Sequence, residues 1–311
     1  MSYSLEWINE MVQNDPSGLV RQCDEIFHER VVNAADMICE NMSLSPIVLL
    51  SGPSGSGKTT TAKKLSEELS ARGIISTAVS MDNYFKTIDP KTVRRDENGE
   101  IDFESPDCLD MELLNEHFSG LSKGNEIKIP SFNFSQQKRS TSKFSYMRLS
   151  ENELAIFEGI HALNDIMTDA HPEAFTLYIS ASSNIESCGK EVFFGSWMRL
   201  VRRIVRDSKF RGTSAELTLS LWDNIQRGEE RYIRPFLHKA KLMLDSSLPY
   251  EVPVMKLSAT PILEGVGCGT ENFNELQCIL TALKLFSAMD ETIVAPDSLL
   301  REFIGGGKYK Y

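Results

Sequence analysis

A chain of 311 residues, 41% hydrophobic and 25% charged, has the makeup of an ordinary folded protein with a sizeable core. Its formal net charge of −11 argues against a broad nucleic-acid footprint and confines any basic patch to a local role. No apolar run is long enough to cross a bilayer, and Cys23, Cys39, Cys108, Cys188, Cys268 and Cys278 contain no C-x-x-C, so the expectation is a cytoplasmic chain with free thiols and no membrane contact.

The acidic, amphipathic start from Met1 to Glu10 does not read as a signal peptide. Leu5, Ile8 and Val12, then Ile26, Val31 and Ile38, mark the apolar faces of two helices broken by Asp15-Pro16-Ser17-Gly18. Ile47 to Leu50 reads as a fully buried strand. After a glycine-rich segment, Ala62, Leu65 and Leu69 recur at helical spacing until Arg72-Gly73. Ile74 to Met81 gives a second strand, and this order opens an α/β sheet of parallel type. A long polar stretch from Lys86 to Asn152, with a turn at Asp96-Glu97-Asn98-Gly99, has the length of a substrate-binding or lid insertion. Further strands are expected at Leu154 to Phe157, Thr176 to Ile179 and Val252 to Leu257. Helices are expected over Ile185 to Asp207, Ala215 to Tyr232 and Asn272 to Ala288. The expected partition is a helical N-terminal extension (1–45), an α/β domain (46–258, insertion 86–152, lid about 186–232) and a helical C-terminal tail (259–311).

Gly52-Pro53-Ser54-Gly55-Ser56-Gly57-Lys58-Thr59 matches G-x-x-x-x-G-K-[ST] between an apolar strand and an amphipathic helix. Glycines let backbone N–H groups turn around a β-phosphate, and the next helix offers its positive end. Lys58 would bridge the β- and γ-phosphates, while the Thr59 hydroxyl would face Mg²⁺. Gly52, Ser54, Gly55, Ser56, Gly57, Lys58, Thr59 and Thr60 are therefore the expected ATP cradle.

Ligands in open parallel sheets bind beyond the carboxyl ends of the strands, where Asp82 and Glu158 stand. Asp82 is assigned as general base and Glu158 as the metal-side acid, although the two roles could be exchanged. Each also has a plain structural reading, as a helix N-cap or a solvated strand end. Arg199, Arg203 and Arg206 share a helix face, with Arg202 beside them and Arg211 just beyond. In an acidic chain such a face suits a polyphosphate under a closing lid, or else simply pairs with surface acids.

The order of these motifs resembles the uridine kinase and phosphoribulokinase family of P-loop kinases, most closely its uridine–cytidine kinase branch, over roughly Ile47 to Lys256. The resemblance implies an α/β P-loop NTPase fold with a mostly parallel sheet, a substrate-binding insertion and a helical lid. It further implies γ-phosphoryl transfer from ATP, with Mg²⁺, to a hydroxyl of a small molecule, foremost the 5′-hydroxyl of uridine or cytidine. Ser80-Met81-Asp82-Asn83-Tyr84-Phe85 resembles the segment with the family's catalytic aspartate, which places that role on Asp82, and Arg202-Arg203-Ile204-Val205-Arg206-Asp207 resembles its lid-helix arginines, so Asp82 is expected in catalysis together with Lys58 of the phosphate loop and Arg206. Asp102-Phe103-Glu104-Ser105-Pro106-Asp107 resembles the sugar-holding segment, and Pro130-Ser131-Phe132-Asn133-Phe134 through Arg139 the base-recognition stretch. Tyr84, Phe103, Glu104, Phe132, Gln137, Arg139 and Arg203 are thus expected to meet the acceptor, with Arg203 and Arg211 also on ATP and Thr59 with Glu158 on the metal. Nucleoside kinases usually carry a tyrosine, a histidine and an aspartate where this chain carries Phe132, Gln137 and Glu104; a ring, an amide and a carboxylate can still stack on a base and bond its edge and a ribose.

Other readings stay open: a sugar phosphate or pantothenate-like alcohol as acceptor, or a nucleotide-dependent regulatory ATPase. A guanine-type switch would need an N/T-K-x-D motif, which the chain lacks. Gly265-Val266-Gly267-Cys268-Gly269 and the terminal Gly305-Gly306-Gly307 read as a flexible loop and a frayed end, and Trp197, Trp222 and His161 as packing residues before ligand contacts. The sequence leaves a homo-oligomer open.

Overall fold

The computed structural model describes residues 2–89, 91, 93–95, 99, 101–133 and 136–310. Asp96, Glu97 and Asn98 of the expected turn, Phe134 of the base-recognition stretch and Met1 lie outside the described residues.

The chain opens with β1 (Ser2–Ser4), α1 (Leu5–Asn14) and α2 (Pro16–Asn41). Ser4 accepts from the Trp7 N–H to cap α1, and Asp15 accepts from the Gly18 N–H at 2.9 Å to start α2, with Pro16 in the first turn. Asp15 to Gly18 is therefore a capped joint between two helices. The buried stripe of α2 runs through Cys23, Phe27, Val31, Ala34 and Ile38, whereas Ile26 turns outward at 39% exposure.

Next come β2 (Ile47–Ser51), α3 (Lys58–Ala71), β3 (Ile75–Ser80), α4 (Met111–Ser122), β4 (Ile127–Asn133), β5 (Lys138–Met147) and β6 (Glu153–Glu158). They are followed by α5 (Asp165–Thr168), β7 (Phe175–Ser180), β8 (Asn184–Ser187), β9 (Lys190–Phe193), α6 (Gly195–Phe210), α7 (Ala215–Ser220) and α8 (Trp222–Tyr232). The chain closes with β10 (Leu242–Asp245), α9 (Glu251–Glu264), α10 (Phe273–Leu283) and α11 (Arg301–Ile304). Strands β3, β6, β2, β7 and β10 lie in that spatial order, every pair parallel, as an α/β P-loop fold requires. Along β2, Ile47 and Leu49 face one side with Val79, Phe157, Leu114 and Phe118, while Val48 and Leu50 face the other with residues of α2, α3, α6 and α9. Burial on both faces explains the unbroken apolar run.

Three sequence expectations change. Val252 to Leu257 is not a strand but part of α9; the edge strand is β10. A short apolar run with β-branched residues suits either state, and Glu251, whose carboxylate sits in the interior on Arg202, starts a helix here. Ile185 to Phe193 is not helical but belongs to the β8–β9 hairpin, whose two-residue loop has Cys188 at φ 50° and Gly189 at φ 75°. The three terminal glycines are not frayed. An added Cβ on Gly305 would lie 2.6 Å from Phe210 Cζ, and the Lys308 N–H donates to Pro296 O at 2.8 Å.

Candidate active site

The loop after β2 wraps onto the first turn of α3, and its carbonyls are held from behind. Arg199 donates to Ser54 O at 3.2 Å, Arg202 to Gly55 O at 3.1 Å and the Ser246 hydroxyl to Ser56 O at 2.7 Å. Gly57 adopts φ 86°, and a Cβ there would lie 2.7 Å from Leu299 Cδ1, so both backbone and space call for glycine. Lys58 Nζ donates to Gly52 O at 2.8 Å and Pro53 O at 3.1 Å.

This loop floors a cavity of about 450 Å³ at the carboxyl ends of β2, β3 and β6. Of the residues expected from sequence, Ser54, Gly55, Ser56, Gly57, Lys58, Thr59, Asp82, Glu158, Phe103, Glu104, Phe132, Gln137, Arg203, Arg206 and Arg211 all line it. Asp82 stands in the 3-10 turn Met81–Tyr84, capped by the Ser80 hydroxyl, and Glu158 ends β6. Asp207 ties the arginine face together: it accepts from Arg206 at 2.8 Å and pairs with Arg203 at 3.4 Å and Arg211 at 3.6 Å. Arg203 also donates to the Ser54 hydroxyl at 2.6 Å.

Four expected residues stand off the cavity lining. Gly52 packs behind the loop, where a Cβ would meet Ile179 O at 2.2 Å. Thr60 gives its N–H and hydroxyl to Glu302, at 3.2 and 2.5 Å. Tyr84 is a correction: its ring is fully buried and its hydroxyl bonds His117 Nδ1 at 2.8 Å, a core position where burial pushes the phenol up. Arg139 is another, since it is spent on Asp110 at 2.8 Å and on the carbonyls of Tyr84 and Phe85 at 2.9 and 3.2 Å. Arg199 likewise leaves the expected stripe, buried in a bidentate pair with Glu229 at 2.5 and 2.8 Å.

Sequence reasoning did not place Phe85, Gly159, Ile160 and Glu302 in the site, and they also line the cavity. Phe85 follows directly on the 3-10 turn Met81–Tyr84, its backbone N–H donating to Asp82 O. Its ring lies 5.4 Å from that of Phe132, tilted by 41°. Glu302 had no signal, coming from 242 positions beyond Thr60. His161 and Trp222 are packing residues, 2% and 0% exposed, and burial pushes the His161 imidazole down to about 4.

Burial sets the charges of the site. It raises Asp82 above its ordinary 3.8, against the pull of Lys58 and Arg211, although the residue stays open to the cavity. It lifts Glu158 to about 7 against Lys58, and Glu104 to about 7 against Arg203. It lowers Arg203 and Arg211. The Thr59 hydroxyl with the Glu158 and Asp82 carboxylates is an all-oxygen donor set, and carboxylates that Lys58 and Arg211 leave raised above their ordinary range are what a hard divalent cation satisfies. These residues fit Mg²⁺. Among the described residues no helix is long and apolar enough to cross a membrane.

Residues 47–251 match the model of the phosphoribulokinase / uridine kinase family. The uridine kinase of Staphylococcus epidermidis is 25% identical over 205 residues, which cover 65% of this chain and 88% of that protein. Among solved structures, a possible uridine kinase from Bacillus stearothermophilus is 19% identical, with 70% of this chain and 98% of that one covered and a TM-score of 0.43. The D-glycerate 3-kinase of Cryptococcus neoformans var. grubii is 14% identical, with 67% and 89% covered and a TM-score of 0.47.

Proposed function

Since this chain belongs to the phosphoribulokinase / uridine kinase family of kinases, we propose that it transfers the γ-phosphoryl group of ATP to the 5′-hydroxyl of a nucleoside, uridine or cytidine. One observation carries the acceptor: the cavity that holds the phosphate loop and Asp82 also holds an aromatic pair, Phe85 and Phe132, together with Gln137 and Glu104. A planar base fits against the rings, with the Gln137 amide on its edge and the Glu104 carboxylate toward sugar hydroxyls. The uridine kinase among the relatives points the same way.

In this reading Asp82 accepts the proton of the attacking hydroxyl as its oxygen bonds to phosphorus and the bond to the ADP oxygen breaks. Its raised pKa makes it a better acceptor than an ordinary aspartate. Lys58, Arg203 and Arg206 balance charge on the moving phosphoryl group. Thr59 and Glu158 would hold Mg²⁺, which supplies neutralisation of the β- and γ-oxygens. The segment 186–232, whose α6 carries the arginines, acts as the lid, and 86–152 as the acceptor-binding insertion.

The test is ADP release from Mg-ATP against a panel of nucleosides, pantothenate and sugar phosphates. Turnover driven by uridine or cytidine supports the reading. Turnover with a sugar phosphate alone moves the acceptor, and ADP release indifferent to every acceptor favours a regulatory ATPase.

A further inference from the structure

Helix α8 braces the cavity through two adjacent residues. Its buried face is Trp222, Ile225, Gly228 and Glu229, at helical spacing. Glu229 holds Arg199 in the bidentate pair at 2.5 and 2.8 Å, and Arg199 donates to Ser54 O of the phosphate loop at 3.2 Å. Gly228 meets the other side of the cavity. A Cβ built on it would stand 2.4 Å from Glu104 Cβ and 2.7 Å from Glu104 Cγ, closer than side chains approach one another. Neither atom is the free end of a flexible chain, so Glu104 reaches its place only against bare backbone.

Glycine is a poor residue for the middle of a helix, because it loses more backbone freedom on folding and packs no side chain. Gly228 is not one of the glycines with positive φ, so conformation does not call for it; space does. Glu104 has reason to need that contact. On one side it lines the cavity of the phosphate loop, and on the other a smaller cavity of about 210 Å³ bounded by Phe103, Arg203, Leu221, Ile225 and Tyr232. With open space on both sides, the carboxylate takes its position from what lies against its stem, and that is Gly228.

We propose that Gly228 is a positioning residue for the acceptor: by leaving room for the stem of Glu104 it sets how far that carboxylate reaches toward the sugar hydroxyls, and with it the preference for a ribose; the proposal rests on the nucleoside reading of the cavity. A side chain at 228 pushes the Glu104 segment away from α8 and moves its carboxylate off the hydroxyls it accepts from. The effect falls on the acceptor, because the neighbouring Glu229, through Arg199, is the residue that serves the phosphate loop.

Calorimetric titration of the full chain with uridine, 2′,3′-dideoxyuridine and Mg-ATP tests this. Dideoxyuridine keeps the base and the 5′-hydroxyl but lacks the ribose hydroxyls. Gly228→Ala should weaken uridine by about tenfold or more, as expected for a lost hydrogen bond to a charged group. Dideoxyuridine and Mg-ATP should keep their wild-type affinities, which also reports an intact fold. In turnover the loss should appear in KM for uridine and leave KM for ATP unchanged. In a Glu104→Gly background, which removes both crowded atoms, Gly228→Ala should cost nothing further. A Gly228→Ala protein that binds uridine as wild type does, or that loses all three ligands alike, makes Gly228 a packing residue and overturns the proposal. A wild-type protein that binds the two nucleosides equally overturns it too, with phosphotransfer still standing. A wild-type protein that binds Mg-ATP but neither nucleoside removes the nucleoside reading itself, and the role of Gly228 with it.

Discussion

In the proposed reaction Asp82 meets two opposed demands, since a base for phosphoryl transfer must sit near the phosphates without being neutralised by the cations around them. Burial raises its affinity for a proton while Lys58 and Arg211 lower it. Asp82→Asn keeps shape and loses the acceptor, so kcat should fall by about 10²- to 10⁴-fold while ATP affinity is kept or improved. Steady-state ADP release and calorimetry read the two quantities. An Asn variant that turns over within a few-fold of wild type would hand the base role to Glu158. Glu104 makes a second prediction, through stability. Its pKa rises from 4.5 to about 7 on folding because burial disfavours the anion. Below 4.5 it is protonated in both states; between 4.5 and about 7 the unfolded chain ionises first, so folding loses stability as pH rises. Glu104→Gln cannot ionise, and its melting temperature relative to wild type should climb from pH 5 to pH 7.5 and then level. A difference that stays flat across that window would show that the carboxyl titrates normally.

Helix α6 shows how one element carries two kinds of arginine. Arg203 and Arg206 line the cavity, whereas Arg199 and Arg202 point behind the phosphate loop, each buried on a glutamate. Arg202 is 0% exposed; it meets Glu251 at 2.5 and 2.8 Å and holds Gly55 O. Removing it strands a buried carboxylate, so Arg202→Met should destabilise by about 3–5 kcal/mol in urea unfolding. Adding Glu251→Leu should recover most of that stability but not the ATP affinity, because the loop carbonyl still lacks its donor. Recovery of both would reduce Arg202 to a packing residue. The spacing of these arginines was legible in the sequence, and so were the phosphate loop, Asp82 and four of the five sheet strands, because local patterns encode them. The inward or outward sense of each arginine was not, since their partners Glu229 and Glu251 lie 30 and 49 positions away. Tyr84 failed because a short turn sends neighbouring side chains to different sides, and Phe85 took the place facing the cavity; Arg139 on β5 failed as the arginines did, its partner Asp110 lying 29 positions away.

At the scale of the molecule, the segments on either side of the family-matched residues share its core. One continuous apolar cluster runs from Leu5, Leu19, Phe27 and Ile38 through Val48, Leu50 and Ile179 to Leu299 and Phe303. No motif announces this, because amphipathic helices look alike wherever they dock, and only the assembled sheet shows which face they cover. We therefore propose that the N-terminal helices and the C-terminal segment fold with the sheet and do not form separate units. Phe27, 2% exposed on α2, is the place to test it. Phe27→Ala should destabilise by about 3–5 kcal/mol and lower the melting temperature by roughly 10 °C. Helix content, followed by circular dichroism, and nucleotide protection of the phosphate loop should be lost together in one transition. Two separated transitions, with the loop still binding ATP after the first, would make the N-terminal helices an independent unit. A single shifted transition would mean that a helix far from the chemistry helps to hold the loop that grips the nucleotide.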